Sequence, residues 1–306
     1  MSERNVIVHA NDPGDELPVN HVAETLREFL AKRDASVPTE VVAVDDPIGW
    51  LRAVGALQPG PVAPPRIRHF FSLSHAWEGG LTLGPEHTGA RKAELAAEIV
   101  RLGGRGGEGE DAAPRLTEGP DDLTQYRTHQ LRISNLRHLP APIVQRLREV
   151  FADAVGIFVA GCNTANEDMI EDAAPTFCTE LAAVLNKTVH GANYYSKVFG
   201  YVPDPSGDGT VDYEWESVDL AASAPHPGHP VLLVPASWGG RQLVKYLFLK
   251  SFPETGVFEF PPFGIEDPPD VDDVGVEKDW TELFDVIGLY RRFLTPCSPA
   301  PEAPVR

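Results

Sequence analysis

The chain has 306 residues, 42% of them hydrophobic and 23% charged, which is enough apolar mass for a sizeable core and the composition of a soluble globular protein. Forty-five acidic against 26 basic residues leave a net charge of -19, which argues against a nucleic-acid partner because phosphate binding needs a basic face. Three cysteines do not make a disulfide scaffold, no apolar run is long enough to span a bilayer, and Met1–Asn5 begins no apolar leader, so a cytoplasmic protein with no membrane partner is expected.

In chain order, Asn5–Ala10 reads as a short buried strand, followed by the turn signal Asn11-Asp12-Pro13-Gly14-Asp15. Val22, Leu26, Phe29 and Leu30 fall at helical spacing, with Asn20 as the expected N-cap. Thr39–Val44 is a β-branched second strand. Asp45 or Asp46 caps a helix with Pro47 in its first turn and an apolar stripe of Ile48, Leu51, Val54 and Leu57. After a Pro/Gly loop at 58–65, Arg66–His75 reads as a third strand, and strand–helix–strand–helix–strand is the pattern of a parallel sheet with crossover helices. Gly79–Gly84 suits a small hairpin.

Residues 85–130 are rich in charge, Gly and Pro, and read as a mobile insertion, with Gly103–Gly119 its centre and Ala93–Leu102 helical. Ile143–Ala154 has helical spacing and leads into the strand Gly156–Ala160. Ala174–Leu185 reads as a helix, Thr188–Ala192 as a strand, and Phe199–Tyr213 as a hairpin. Val231–Val234 is another strand, Leu243–Leu249 a short helix, and the acidic, Pro-rich 254–285 an irregular segment. Trp280–Leu294 recovers helical spacing, and 296–306 reads as a disordered tail.

Two strands carry chemistry at their ends. Phe70–Ser74 runs into His75, and Ile157–Gly161 runs into Cys162. Parallel sheets bind ligands at the carboxyl ends of their strands, so neighbouring strands here would bring an imidazole and a thiol together, as a Cys/His nucleophile pair requires. The bland alternative is a buried cysteine beside a structural histidine. His69, on the same strand face as Phe71, Leu73 and His75, is expected to pack. Cys178 is expected in the core and Cys297 as an incidental thiol. No cofactor or metal is called for. Gly103–Gly107 lacks the Lys-Ser/Thr ending of a phosphate loop, Trp215 stands where the calcium loop begun at Asp204 would need Glu, and no His follows Ser237 beyond residue 229 to serve a serine hydrolase.

The order strand, His, Gly-rich hairpin, helix, strand, Cys resembles the caspase-like cysteine peptidases, most closely the bacterial CHAT and caspase-like domains. Leu73-Ser74-His75-Ala76 with Gly80-Leu81-Thr82-Leu83-Gly84 is similar to that group's His motif, and Gly161-Cys162-Asn163-Thr164-Ala165 to its Cys motif. The likeness covers roughly 5–215. It implies an α/β, caspase-like three-layer sandwich with a mostly parallel central sheet and helices on both faces. It also implies a caspase-like domain over 1–220 and a C-terminal extension over 221–295 that packs on or completes it. The implied activity is a cysteine endopeptidase acting on a protein or peptide substrate, with Cys162 as nucleophile, His75 as its proton carrier and the N–H groups of Ala76 and Cys162 as oxyanion donors. Asp12, Glu167 and Asp168 are the acidic candidates for the substrate's P1 side chain, favouring Lys or Arg, although solvated turn carboxylates account for each singly. Two departures stand out. The family usually has Gly where Ala76 stands, and the His-to-Cys spacing exceeds the roughly 50 residues of caspases. The alternative is a catalytically silent caspase-like module that binds a protein partner.

Overall fold

Three runs of β-branched and aromatic residues, at 3–10, 66–73 and 156–160, form the centre of the molecule because both faces of each are covered, as is usual for strands in a parallel sheet. A computed structural model of the chain describes residues 2–11, 19–57, 65–101, 129–167, 175–199, 231–235 and 286–299. Strand β1 (Glu3–Ala10) leads to helix α1 (Val19–Arg33), β2 (Thr39–Val44), α2 (Pro47–Ala53) and β3 (Arg66–Leu73). A hairpin follows, β4 (His75–Trp77) and β5 (Gly80–Thr82), then α3 (Gly89–Arg101), β6 (Gln130–Arg132), α4 (Ile133–Arg137) and α5 (Ala141–Val150). Next come β7 (Gly156–Ala160), α6 (Phe177–Leu185), β8 (Val189–Gly191), β9 (Ser196–Phe199), β10 (Leu232–Pro235), α7 (Val286–Phe293) and β11 (Thr295–Cys297).

The main sheet has the order β11-β8-β7-β3-β1-β2. Four of its five pairings are parallel, and only β11 runs antiparallel, against β8. The order reverses between β1 and β3, because the chain goes out through α1 to β2 and returns past β1 to β3. Alternation divides the strands between two cores. Phe70, Ile157, Val159 and Val189 pack with residues of α2, α5 and α6 on one face. Phe71, Leu73, Phe158 and Ala160 pack with α1, β10 and α7 on the other. Phe70 lies edge-on to Trp50 and Phe151, at 5.6 and 5.3 Å between ring centroids, while Phe71 stacks on Phe158 at 4.9 Å and meets Tyr290 edge-on at 5.4 Å. The result is an α/β architecture with helices on both faces of a mostly parallel sheet.

Asp46 starts α2. Its Oδ1 accepts the Gly49 N–H at 2.8 Å, and Pro47, which has no N–H to lose, takes the first helical position. The same buried carboxylate accepts from Arg91 of α3 at 2.8 Å, so the cap also fastens α3. Asp46→Ala is expected to lower unfolding stability by about 1–2 kcal/mol, read from urea denaturation. Asp46→Asn keeps a capping oxygen and should lose less.

Several expectations are corrected. Asn20 is inside α1 rather than capping it. The third strand ends at Leu73, and after a bend at Ser74, His75 opens a separate three-stranded sheet, β4-β5-β6. The mobile insertion expected over 85–130 contains α3, whose Leu95 is buried, and its end runs into β6; residues 102–128 lie outside the described residues. The tail expected to be disordered from 296 begins as β11, and Cys297 is buried there. Phe199 ends β9, which pairs antiparallel with β10, and the rest of the hairpin expected over 199–213 lies outside the described residues. Residues 200–230 and 236–285, with the expected turn at 204–209, the helix at 243–249 and the acidic segment, lie outside the described residues. Among the described residues no helix is long and apolar enough to cross a membrane.

Candidate active site at the C-terminal edge of the sheet

β3 and β7 pair in parallel with Leu73 opposite Ala160. Beyond that pair β3 bends at Ser74 into β4, which begins with His75, and β7 turns at Gly161, which precedes Cys162. The two segments touch there. A Cβ placed on Gly161 would lie 2.6 Å from the Ala76 Cβ and 2.7 Å from the Ser74 carbonyl oxygen, so only glycine fits. The backbones on either side of His75 are therefore packed directly on the residue that precedes Cys162. This corner adjoins the reversal between β1 and β3, the place where open α/β sheets leave a crevice.

Short-range and long-range bonds position each residue. His75 is exposed and pairs with Thr82 across the hairpin. The turn of that hairpin is anchored twice. The Glu78 carbonyl accepts the Phe177 N–H at 2.7 Å, one of the N–H groups the start of α6 leaves over, and the Gly79 carbonyl accepts the Ile133 N–H at 3.0 Å. Trp77 folds back over the turn, with its indole so close to Gly79 and Gly80 that a Cβ on either would collide with it, and Arg132 sits 5.6 Å above the ring. Ala76, where the resembling family has glycine, is in extended β4. Among the described non-glycine residues only Asn163 and Asn186 have positive φ, so the alanine carries no backbone penalty and its N–H keeps its place.

Cys162 is half-buried on a turn braced from three sides. Its Sγ accepts the Ser196 N–H at 3.3 Å and lies 3.9 Å from the Ser196 carbonyl. Asn163 takes the left-handed conformation, φ 56°, that asparagine tolerates, and donates its N–H to the Tyr194 carbonyl at 2.9 Å. Thr164 is fully buried. Its hydroxyl donates to Val159 at 3.3 Å and accepts the Ala192 N–H at 3.0 Å, while its carbonyl accepts the Cys178 N–H at 3.0 Å. One residue thus ties the Cys162 turn to β7, to the end of β8 and to α6. Burial first, then Tyr290 and Cys162, push the Tyr194 phenol well up, so it stays neutral.

Of the acidic candidates, Glu167 is exposed and its charge opposes ionisation of Cys297; Asp12 and Asp168 lie outside the described residues. Thr164 and Ser196 carry no signal of their own in the sequence. Their roles depend on which strands become neighbours.

His69 is part of the core rather than the site. It lies six residues before His75, opposite Gly156, and is buried. Burial first, then Arg68, Arg33 and Arg291, lower its pKa to about 4. A histidine neutral in the fold but charged when unfolded binds more protons in the unfolded state between those two pKa values. Stability should therefore be full above about pH 6.5 and fall toward pH 4, by up to about 3 kcal/mol. His190, also lowered by burial, adds to the same slope. Urea unfolding at pH 7 and pH 4.5 reads this, and His69→Gln should flatten the slope, whatever its effect at pH 7.

Asp45, Asp46 and His87 are the described group with ligand atoms close enough for a metal, within 4.8 Å of one another. The positive charge two carboxylates call for is already there. Arg91 lies 2.8 Å from Asp46 and 3.7 Å from Asp45, and the other Asp46 oxygen is taken by Gly49.

Comparisons with protein-family models, with curated proteins and with solved structures found no match for this chain.

Proposed function

We propose that the chain is a cysteine endopeptidase of caspase-like type, with Cys162 as nucleophile and His75 as general base and acid. What supports the reading above all is Gly161, seated against Ser74 and Ala76, which sets the histidine hairpin and the cysteine turn at one corner of the carboxyl edge. In this mechanism His75 takes the thiol proton and Cys162 Sγ bonds to the carbonyl carbon of an extended peptide. The electron pair moves onto the carbonyl oxygen, where the N–H groups of Cys162 and Ala76 receive it. The tetrahedral species collapses as the C–N bond breaks and His75 gives its proton to the leaving amine. Water, activated by His75, then releases the acyl group. Glu167, with Asp12 and Asp168, would favour a basic side chain before the scissile bond.

The test is a library of fluorogenic peptide amides that vary the residue before the scissile bond, run beside peptidyl acyloxymethyl ketones of the same sequences. Cleavage, with covalent label found on Cys162 by peptide mapping, is expected. No cleavage and no label on Cys162 across the library would overturn the peptidase and leave a protein-binding module of the same fold.

A further inference from the structure

The other two cysteines form a second thiol site, independent of the first. Cys178 is fully buried in the first turn of α6, and Cys297 ends β11 with 9% exposure. Cys297 is paired with Val189 of β8, and Thr295 with Gly191. The Cys178 sulfur reaches down to that same strand: a Cβ on Gly191 would lie 2.3 Å from it. Residues two apart on a strand share a face, and Cys178, Val189 and Cys297 lie in one apolar core. Cys297 is paired with Val189 two residues before Gly191, against which the Cys178 sulfur lies, so both cysteines border the same short stretch of β8. Burial first, then Cys297, push the Cys178 thiol up. Cys178 comes first in holding the Cys297 thiol down, assisted by Thr179 and Thr176 against burial and Glu167. Cys297 is the sulfur nearer the surface.

We propose that Cys178 and Cys297 are an oxidisable pair that a peroxide converts to a disulfide, tying the edge strand β11 to α6. Cys297 sulfur attacks one peroxide oxygen, the O–O bond breaks, and Cys297 becomes a sulfenic acid while the second oxygen leaves as water or alcohol. Cys178 sulfur then attacks the Cys297 sulfur, the S–O bond breaks, and water leaves with the Cys178 proton. Two thiols lose two electrons and two protons, and the peroxide is reduced. β11, which is only three residues long, is then held covalently as well as by its ladder to β8.

The full chain is reduced, exposed to hydrogen peroxide, unfolded with an alkylating agent and digested without reductant. The expected product is a linked pair of peptides carrying Cys178 and Cys297, two hydrogens short of their sum, with melting raised by several degrees and the rise removed by dithiothreitol. Cys297→Ser should abolish the link and the rise. Cys162→Ala should form both, which separates this pair from the proposed active site. Oxidation that leaves Cys178 open to alkylation while Cys297 gathers sulfinic acid, or a link that involves Cys162, would overturn the proposal. Mapping of the unsubstituted chain decides the matter even if Cys297→Ser does not fold.

Discussion

Cys162→Ala is expected to reduce peptide hydrolysis by about three orders of magnitude or more, because no other group of the site supplies a sulfur nucleophile. His75→Ala should cost about 10²–10⁴-fold, and the double variant little more than the worse single one, since the two act on one proton. Neither change removes much packing: Cys162 is half-buried and His75 exposed. Melting should move little in both. A purely structural cysteine would behave in the opposite way, with stability falling and hydrolysis of any substrate unchanged. Steady-state kinetics and a thermal melt on the same preparations distinguish the two.

Gly161→Ala should be the most disruptive single methyl group in the molecule. The new carbon would fall 2.6 Å from the Ala76 Cβ and 2.7 Å from the Ser74 carbonyl, both fixed to backbone, so no flexible side chain can give way. β3 and β7 must part at their ends, or the hairpin that carries His75 must shift. We expect a loss of about 2–4 kcal/mol of stability and, from a displacement of about 1 Å between the reacting groups, about 10²-fold in turnover. Ala76→Gly in the same chain removes one of the two collisions and should restore part of both losses. That recovery, measured by urea denaturation and by kinetics, is the coupling between the two motifs. Additive losses would show that the segments do not meet.

What could be read in the sequence was set by burial. β1, β3 and β7 are covered on both sides, so their apolar runs identify them without neighbours. The Asp46-Pro47 start of α2 is equally local, because a cap and a fixed φ are properties of adjacent residues. β6 and β11, of three residues each, have no such signature and exist because β5 and β8 offer them ladders. Composition misled at both ends of this scale. Pro296 reads as disorder until β8 is placed beside it, and the helix read over 93–102 begins earlier, at Gly89, within the charged run whose Arg91 is paired to Asp46. In the site, His75 and Cys162 were legible because reactive residues at strand ends are unusual. Thr164 and Ser196 were not, since their partners are 28 and 34 residues away along the chain. The bend at Ser74 that moves His75 onto a hairpin was hidden for the same reason: it is set by the pairing of β4 with β5.

The surroundings of Cys162 are finished by the last parts of the chain. Val231, just before β10, donates to the hydroxyl of Thr25 in α1, β10 pairs with the strand that holds the cysteine sulfur, and β11 closes the sheet beside β8. During synthesis, at about 5–20 residues per second, the thiol leaves the ribosome on the order of 10 s before β11 does. Loops this long are slow to close, and their contacts form late. The corner where the cysteine turn meets the histidine hairpin is therefore completed only after β10 and β11 have been translated, and until then the nascent chain carries Cys162 without the partners that hold it.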